Sequence, residues 1–571
     1  MKKKYITKLM IAACLSSALS LNSCIEEVFP ESSTATIDQI GKSDQAISAM
    51  VNSVVAFINA FRSYGPQFYH DFGYSGYNLI RESACEDFFC HEPKFDFFDT
   101  YGVCNDLGDA DVVNTIWYYN YKFLNNVNNA LSALEKADDA PENKYYKGIC
   151  LSYRAMIYMD LVRMYEYKKT GVEKLDAEAA SKNLYGITVP IITDETTEEE
   201  GRNNPRAPFY AVYKFILDDL ASAEELLSDY QRPTKNLPCT PVVHGLMARM
   251  WLEMGSRFEL YPEDLNTLNN NTDLNIASKE TCFTKAAEYA RKVINESGAM
   301  PLTEKEWFGG DSYTTGFNSV LTNSWVWGSI MTTEDVHSYW LNFAGSMCPE
   351  QTFGYGNRKW QGYKLIGKKL FDQIPNADWR KTTWIAPEDA HKAPGTKYKT
   401  LLTDDDFADM PPYTGIKFRP KNGEMNDYTI GAAVDYPLMR IEEMYLIEAE
   451  AIGMSQGLAA GISKLEDFVN TFRYNTSVGS YTCKVNDLKE FQQKRIEFWG
   501  EGIIFWDYKR LELQVVRGYP GTNAPIGYRF NSIEGYCAPW MNIFISLYEN
   551  VFNKGAVLNP DPSQAIKEWV E

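Results

Sequence analysis

Tyr436-Pro-Leu-Met-Arg-Ile-Glu-Glu-Met-Tyr-Leu-Ile-Glu-Ala-Glu-Ala451 is the stretch whose reading decides the fold. Apolar and small residues run through it, glutamates stand at 442, 443, 448 and 450, and the spacing predicts a helix over 438–454. Gly453-Met-Ser-Gln-Gly457 then reads as a turn, and a second helix is expected over 458–474, giving a helical hairpin. The turn matches the G-x-S-x-G pattern of a nucleophilic serine, but that elbow needs a strand before it and here a helix precedes it.

Working outward, the same period recurs. Residues 110–136 place Val113, Ile116, Phe123, Val127, Leu131 and Leu134 at helical spacing, with Trp117 and Tyr121 on neighbouring faces. Residues 145–167 repeat it through Leu151, Ala155, Tyr158, Leu161 and Tyr165, residues 209–228 through Tyr213, Ile216, Leu217 and Leu220, and residues 280–297 through Ala286, Ala287, Ala290 and Val293. Thr240-Pro241 supplies an N-cap and a first-turn proline for a helix that Gly255 is expected to end. Helices joined by short polar turns predict an all-α scaffold of tetratricopeptide-like hairpins, pairing 110–136 with 145–167, 209–228 with 240–254, and 438–454 with 458–474.

Between 301 and 435 the period gives way to Gly309-Gly310, Pro349, Gly354, Gly356, Pro411-Pro412 and Pro420. This span is too long for a plain loop and is expected to be an irregular subdomain that carries ligand contacts; residues 512–571 read as a similar C-terminal region. The helical repeats occupy about 39–300 and 436–511.

Four segments together resemble the SusD/RagB family of outer-membrane lipoproteins. Residues 436–451 resemble its Y-x-L-M-R-x-A-E-x-Y-L-x-x-A-E-A signature, and Leu465-Glu-Asp-Phe-Val-Asn-Thr-Phe-Arg473 resembles its L-N-x-x-R helix. Arg495-Ile-Glu-Phe-Trp-Gly-Glu-Gly502 through Trp506-Asp507 and Lys509-Arg510 resembles its R-x-E-L-x-G-E-G block, and Trp117 to Asn129 resembles its W-x-x-x-Y-x-x-I-x-x-x-N helix. Ile503-Ile504 replaces the usual arginine-bearing stretch, and Ala538-Pro539-Trp540 to Asn553 follows the family's ending only loosely. The resemblance covers the chain beyond its leader as one SusD-like domain, 39–571. It implies a non-enzymatic surface lipoprotein that binds oligosaccharides, or in some branches peptides, and passes them to a SusC-like TonB-dependent transporter.

The N-terminus agrees. Met1 to Lys4 with Lys8 is a basic region, Leu9 to Leu21 is apolar, and Leu21-Asn-Ser-Cys24 fits a lipobox, so 1–23 is expected to be a lipoprotein signal peptide and Cys24 the acylated residue, with palmitate-type chains. Several acyl chains anchor stably where one does not. Glu26 and Glu27 resemble the surface-export signal of Bacteroidota lipoproteins, and 24–38 reads as a tether. The expected address is the outer membrane, facing outward.

Removing the first 23 of 571 residues leaves 548, and losing Lys2, Lys3, Lys4 and Lys8 takes the formal charge from −20 to −24. Such acidity argues against a nucleic-acid partner. The cysteines are irregularly spaced, so they do not outline a disulfide framework; Cys85, Cys90, His91 and Cys104 cluster but lack a zinc spacing, and a disulfide within the cluster or buried free thiols both remain open. No cofactor or metal is expected; Asp106, Asp109 and Asp111, and Asp404 to Asp406, read as turns or helix starts before calcium ligands.

Glycan binding without catalysis needs aromatic faces and hydrogen-bonding partners. Residues 64–101 hold 12 aromatics and residues 307–363 hold 13. Most aromatics in such segments fill core; the expected ligand contacts are Tyr77, Tyr101, Trp325 and Trp340, with Arg81 as polar partner. A surface glycosidase would need two dedicated carboxylates, and Glu442, Glu443, Glu448, Glu450, Glu497 and Glu501 read instead as ion-pair partners, the last two near Lys494 and Arg495.

Overall fold

The computed structural model describes residues 36–63, 71–92, 107–108, 111–356, 360 and 362–571. Eight helices make the frame: α1 (Asp44–Ala56), α2 (Asp111–Glu135), α3 (Pro141–Tyr165), α4 (Phe209–Leu226), α5 (Thr240–Leu260), α6 (Lys279–Glu296), α7 (Ile441–Gln456) and α8 (Leu458–Phe472). Their starts follow capping chemistry: Ser43 Oγ accepts the Ala46 amide, Ser278 Oγ accepts the Thr281 amide, and prolines occupy the first turns of α3 and α5. Thr36 already caps a short helix, Ile37–Gly41, so secondary structure begins before the expected tether boundary at residue 38.

The pairing differs from expectation in a regular way. α4 packs chiefly on α3, and α6 packs on α5 on one side and α7 on the other; α7 pairs with α8 as expected. α2 packs on α3 as expected, while residues 166–208 separate α3 from α4 and residues 261–278 separate α5 from α6. α3 is buried almost all round from Gly148 to Tyr165 because α1, α2 and α4 all cover it.

Gly255 does not end its helix. α5 continues to Leu260, Cys239 is the N-cap residue in place of Thr240, and a side chain at 255 would come within 2.7 Å of the Phe283 ring on α6. The glycine sets how closely two helices approach. Gly457, at φ 111°, makes the turn from α7 into α8, a conformation that costs a residue with a Cβ.

The first residues of the deciding stretch are not helical. Tyr436–Arg440 is a strand, β4, antiparallel to β2 (Trp325–Ser329), with Trp325 opposite Arg440 and Tyr436 opposite Ser329. Pro437 is tolerated there because the sheet has only two strands. A second ribbon joins β1 (Phe88–Cys90) to β3 (Lys364–Ile366). The region 301–435 is otherwise turns and short helices, and these two ribbons tie it to the frame.

Behind β4 lies a buried ion cluster. Glu497 accepts from Arg380 Nη1 at 2.8 Å, Arg473 Nε at 2.7 Å and Arg440 Nη1 at 3.1 Å. Arg440 also donates to Glu501 at 2.9 Å and pairs with Glu442 at 3.0 Å; Arg473 reaches Glu442 at 3.1 Å, Lys417 reaches Glu501 at 2.6 Å, and Arg380 pairs with Asp378 at 2.6 Å. Four cations thus balance four carboxylates, each almost completely buried. Burial alone raises a carboxyl's pKa, yet the Arg473, Arg440 and Arg380 guanidiniums outweigh it and hold Glu497 well below the ordinary range. Glu442 moves the other way, raised by burial.

Sequence proximity to Lys494 and Arg495 was therefore a poor guide to these glutamates. Lys494 pairs with Glu450 and Asp507, and Arg495 with Glu86 and Asp87. Glu497→Gln removes the charge on which three arginines converge, and breaking a buried pair by deleting one partner costs about 3–5 kcal/mol. Denaturant unfolding is expected to show a loss of that order, whereas Glu198→Gln, whose carboxylate pairs with Arg202 on the surface, is expected to change stability by less than about 1 kcal/mol.

Candidate functional site

The turn Ser338-Tyr-Trp-Leu-Asn342 places two adjacent aromatics at the surface. Ser338 Oγ accepts the Trp340 amide at 3.2 Å, Asn342 Nδ2 donates to the Ser338 carbonyl at 2.9 Å, and Asn342 Oδ1 accepts the Gly345 amide at 2.6 Å, capping the helix Phe343–Met347. The backbone under Tyr339 and Trp340 is thereby fixed from both sides. The next aromatic loop lies directly on this helix: a Cβ at Gly354 would meet Gly345 Cα at 2.3 Å.

Those two loops build an aromatic ridge. Trp340 lies 4.7 Å from Tyr339, 5.4 Å from Tyr355 and 5.0 Å from Trp360, centroid to centroid, with Trp360 nearly perpendicular at 81°. Tyr428 adds a ring 5.6 Å from Tyr339. All five are half-buried. Beside them Phe61 stacks on the exposed His337 at 5.1 Å, and the Arg62 guanidinium lies 5.0 Å from the Phe61 ring. Phe61, His337, Asp335, Asn342 and Asn59 line a small cleft there of about 20 Å³, room for no more than a water. The arrangement offers ring faces with hydrogen-bonding groups at their margin, the combination that a polyhydroxylated ring binds.

The expected contacts divide. Trp340 stands in the ridge. Tyr77 is 2% exposed; its hydroxyl donates to Asp71 at 2.8 Å, its ring packs 4.5 Å from Tyr119, and burial pushes its phenol well above 10. Arg81 is also 2% exposed, donating through Nε to the Gly502 carbonyl, pairing with Asp160 at 3.6 Å and lying 4.4 Å from the Trp506 ring. Trp325 is 0% exposed within β2, and Val326 at 1% and Trp327 at 0% are equally covered, so neither face of that strand is open. These three are structural in this conformation. They sit on elements sandwiched between the helical frame and the loops, where aromatics and paired arginines are needed as core. Tyr101 and Cys24 lie outside the described residues.

Tyr355, Tyr428, Phe61 and His337 were not anticipated, because they come from separate segments. The signal that was present is local: an aromatic pair flanked by turn-forming Ser338 and Asn342. Among the described residues no group of three or more His, Cys, Asp or Glu side chains is placed to hold a metal ion, and Cys85 and Cys90 are buried thiols; Cys104, Asp106 and Asp109 lie outside the described residues. Asp404–Asp406 begin a short helix capped by Thr403, and Asp111 begins α2.

Residues 50–252 match the SusD-like family model described as starch-binding and associating with the outer membrane. Among solved structures, a SusD-like carbohydrate binding protein from Bacteroides vulgatus is similar at 20% identity and TM-score 0.65, over 90% of this chain and 97% of that one. A SusD superfamily protein from Bacteroides thetaiotaomicron is similar at 17% identity and TM-score 0.65, over 90% and 99%. A laminarin binding SusD-like protein is similar at 16% identity and TM-score 0.60, over 91% and 99%. No curated protein matches. Among the described residues no helix is long and apolar enough to cross a membrane.

The helix Tyr74–Ser83, which carries Tyr77 and Arg81, is pinned by Glu82, whose carboxylate accepts the Gly500 amide at 3.0 Å and the Gly502 amide at 2.8 Å. Burial nevertheless raises its pKa from 4.5 to about 7, the two amides opposing the shift. The folded state therefore holds this proton more tightly than the unfolded chain, and its contribution to stability falls as pH rises from about 4.5 to about 7, by about 3 kcal/mol in total. Glu82→Gln is expected to flatten the stability profile between pH 5 and 7 in denaturant titrations. An unchanged slope would show that Glu82 is ionised at the same pH in both states.

Proposed function

We propose, from the premise that this chain is a SusD-like family member, that it is a cell-surface lipoprotein that binds oligosaccharides and delivers them to a SusC-like TonB-dependent outer-membrane transporter. The observation that supports the reading is the ridge of Tyr339, Trp340, Tyr355, Trp360 and Tyr428, five half-buried rings in mutual contact. Aromatic faces bind the C–H surfaces of sugars without any reacting group, and Arg62, Asp335 and His337 stand at the margin to meet hydroxyls. Names of two structural relatives point the same way, one a carbohydrate binding protein and one laminarin binding.

The reading is of a receptor, not a glycosidase. The buried carboxylates Glu442, Glu497 and Glu501 are all engaged by arginine or lysine, and a general acid needs a free proton near a scissile bond. Association with the outer membrane, which the matched family's description names, fits a lipid anchor at Cys24, with residues after it acting as the tether.

Affinity gel electrophoresis in starch and in laminarin tests binding. The parent is expected to be retarded by at least one polysaccharide, and Trp340→Ala to weaken that retention tenfold or more, about 1.4 kcal/mol. Phe552→Ala, an exposed aromatic away from the ridge, is expected to change nothing. Retention of peptides in place of polysaccharides, or equal retention of the parent and Trp340→Ala, contradicts the ridge assignment. Digestion by protease on intact cells is expected; digestion only after lysis contradicts surface display.

A further inference from the structure

A second groove lies at the ends of the helical hairpins, where the chain leaves α3, enters α4 and leaves α5. Its volume is about 400 Å³, within the range of roughly 300–1,000 Å³ typical of small-ligand sites. It shares no residue with the aromatic ridge. Tyr185, Tyr210 and Tyr261 line it; Tyr185 is 39% exposed and the other two are half-buried. Gly186, at φ 72°, leaves the space above Phe209 open, since a Cβ there would reach 3.4 Å from that ring.

The polar groups of this groove are built, not incidental. The Arg257 guanidinium lies 3.7 Å from the Phe209 ring centroid, donates through Nη1 to both Glu166 oxygens at 2.7 and 2.9 Å, and donates through Nε to Asp264 at 2.7 Å. Lys168 is 8% exposed; its ammonium pairs with Glu166 at 3.8 Å, beyond hydrogen-bond reach, and lies 4.9 Å from the Tyr261 ring centroid. With Lys169 and Glu263 at the edge, three cations face three carboxylates, so the groove carries no excess of either sign.

We infer that this groove is a second saccharide site, one that takes a neutral, hydroxyl-rich ring or pair of rings. Tyr185, Tyr210 and Tyr261 supply stacking faces, Lys168 Nζ donates to a ring hydroxyl or ring oxygen, and Asp264 and Glu263 accept from hydroxyls. A charge-balanced lining favours a neutral sugar over a uronate, which would leave an anion beside Glu166 and Asp264.

Calorimetric titration of the full chain tests this with three probes: maltoheptaose, laminarihexaose and tri-galacturonate. Trp340→Ala takes the central ring out of the ridge and is expected to retain saturable binding of at least one neutral probe. Adding Tyr185→Ala and Tyr210→Ala to it is expected to weaken that binding tenfold or more, and Tyr185→Phe with Tyr210→Phe, which keep the rings, to restore it. Thermal unfolding of each variant checks that the fold persists. Binding untouched by the double alanine change overturns the groove, as does the absence of binding of every probe to Trp340→Ala. A tenfold preference for tri-galacturonate overturns the neutral assignment. Because ridge and groove are altered separately, binding lost with Trp340→Ala alone leaves the ridge standing and removes only the groove.

Discussion

Glu497 sits where three guanidinium groups converge, and the rest of the structure is arranged around that meeting. Its partners come from far apart in sequence: Arg380 from the loop region, Arg440 from the end of β4 and Arg473 from the end of α8. Glu501 and Glu442 extend the cluster to Lys417 and back to Arg440 and Arg473. Removing so many charges from water is expensive, and a well-packed apolar substitute would often be as stable. A buried cluster of this kind does impose register: each side chain must occupy one place or leave a charge unpaired. The Trp307 ring fixes the cations further, lying 5.0 Å from Lys417 and 5.8 Å from both Arg440 and Arg473.

The consequence for binding is mechanical. Region 301–435 has little regular structure to hold its own shape, yet Arg380 and Lys417 pair with Glu497 and Glu501, Arg440 and Arg473 tie Glu497 to the two ends of the α7–α8 hairpin, and the β2–β4 and β1–β3 ribbons add two more seams. The ridge grows from loops on this locked base. On the proposed reading its rings would need little ordering when a sugar arrives, so less binding free energy would be lost to immobilisation. The groove at the other helix ends uses the same logic, with Arg257 clamped by Glu166 and Asp264.

The helical frame was legible in sequence because it rests on local periodicity: α2, α3, α4, α6 and α8 fall within a few residues of their expected limits. What failed was anything that required partners at a distance. Tyr436-Pro-Leu-Met-Arg440 looked like the start of a helix because a short apolar run carries no period of its own, and only β2 makes it a strand. Arg473, Glu442 and Glu497 were visible as motif residues, but Lys494 and Arg495 stood nearer to Glu497 in sequence than its true partners. In the site, Trp340 and the buried Trp325 are the same residue type in the same aromatic-rich segment; exposure separates them, and exposure is set by tertiary packing. Tyr77 and Arg81 were misplaced for the same reason.

The central claim is that a charge-locked base presents a preformed aromatic ridge to glycans. Hydrogen–deuterium exchange of the full chain, with and without a polysaccharide-derived oligomer such as maltoheptaose or laminarihexaose, tests it most directly. The account predicts slow exchange at 438–444 and 494–501 in both states, and new protection on binding at 338–345 and 352–356. Rapid exchange through the ion cluster, or protection by every bound oligomer that leaves the Trp340 turn unchanged, contradicts it.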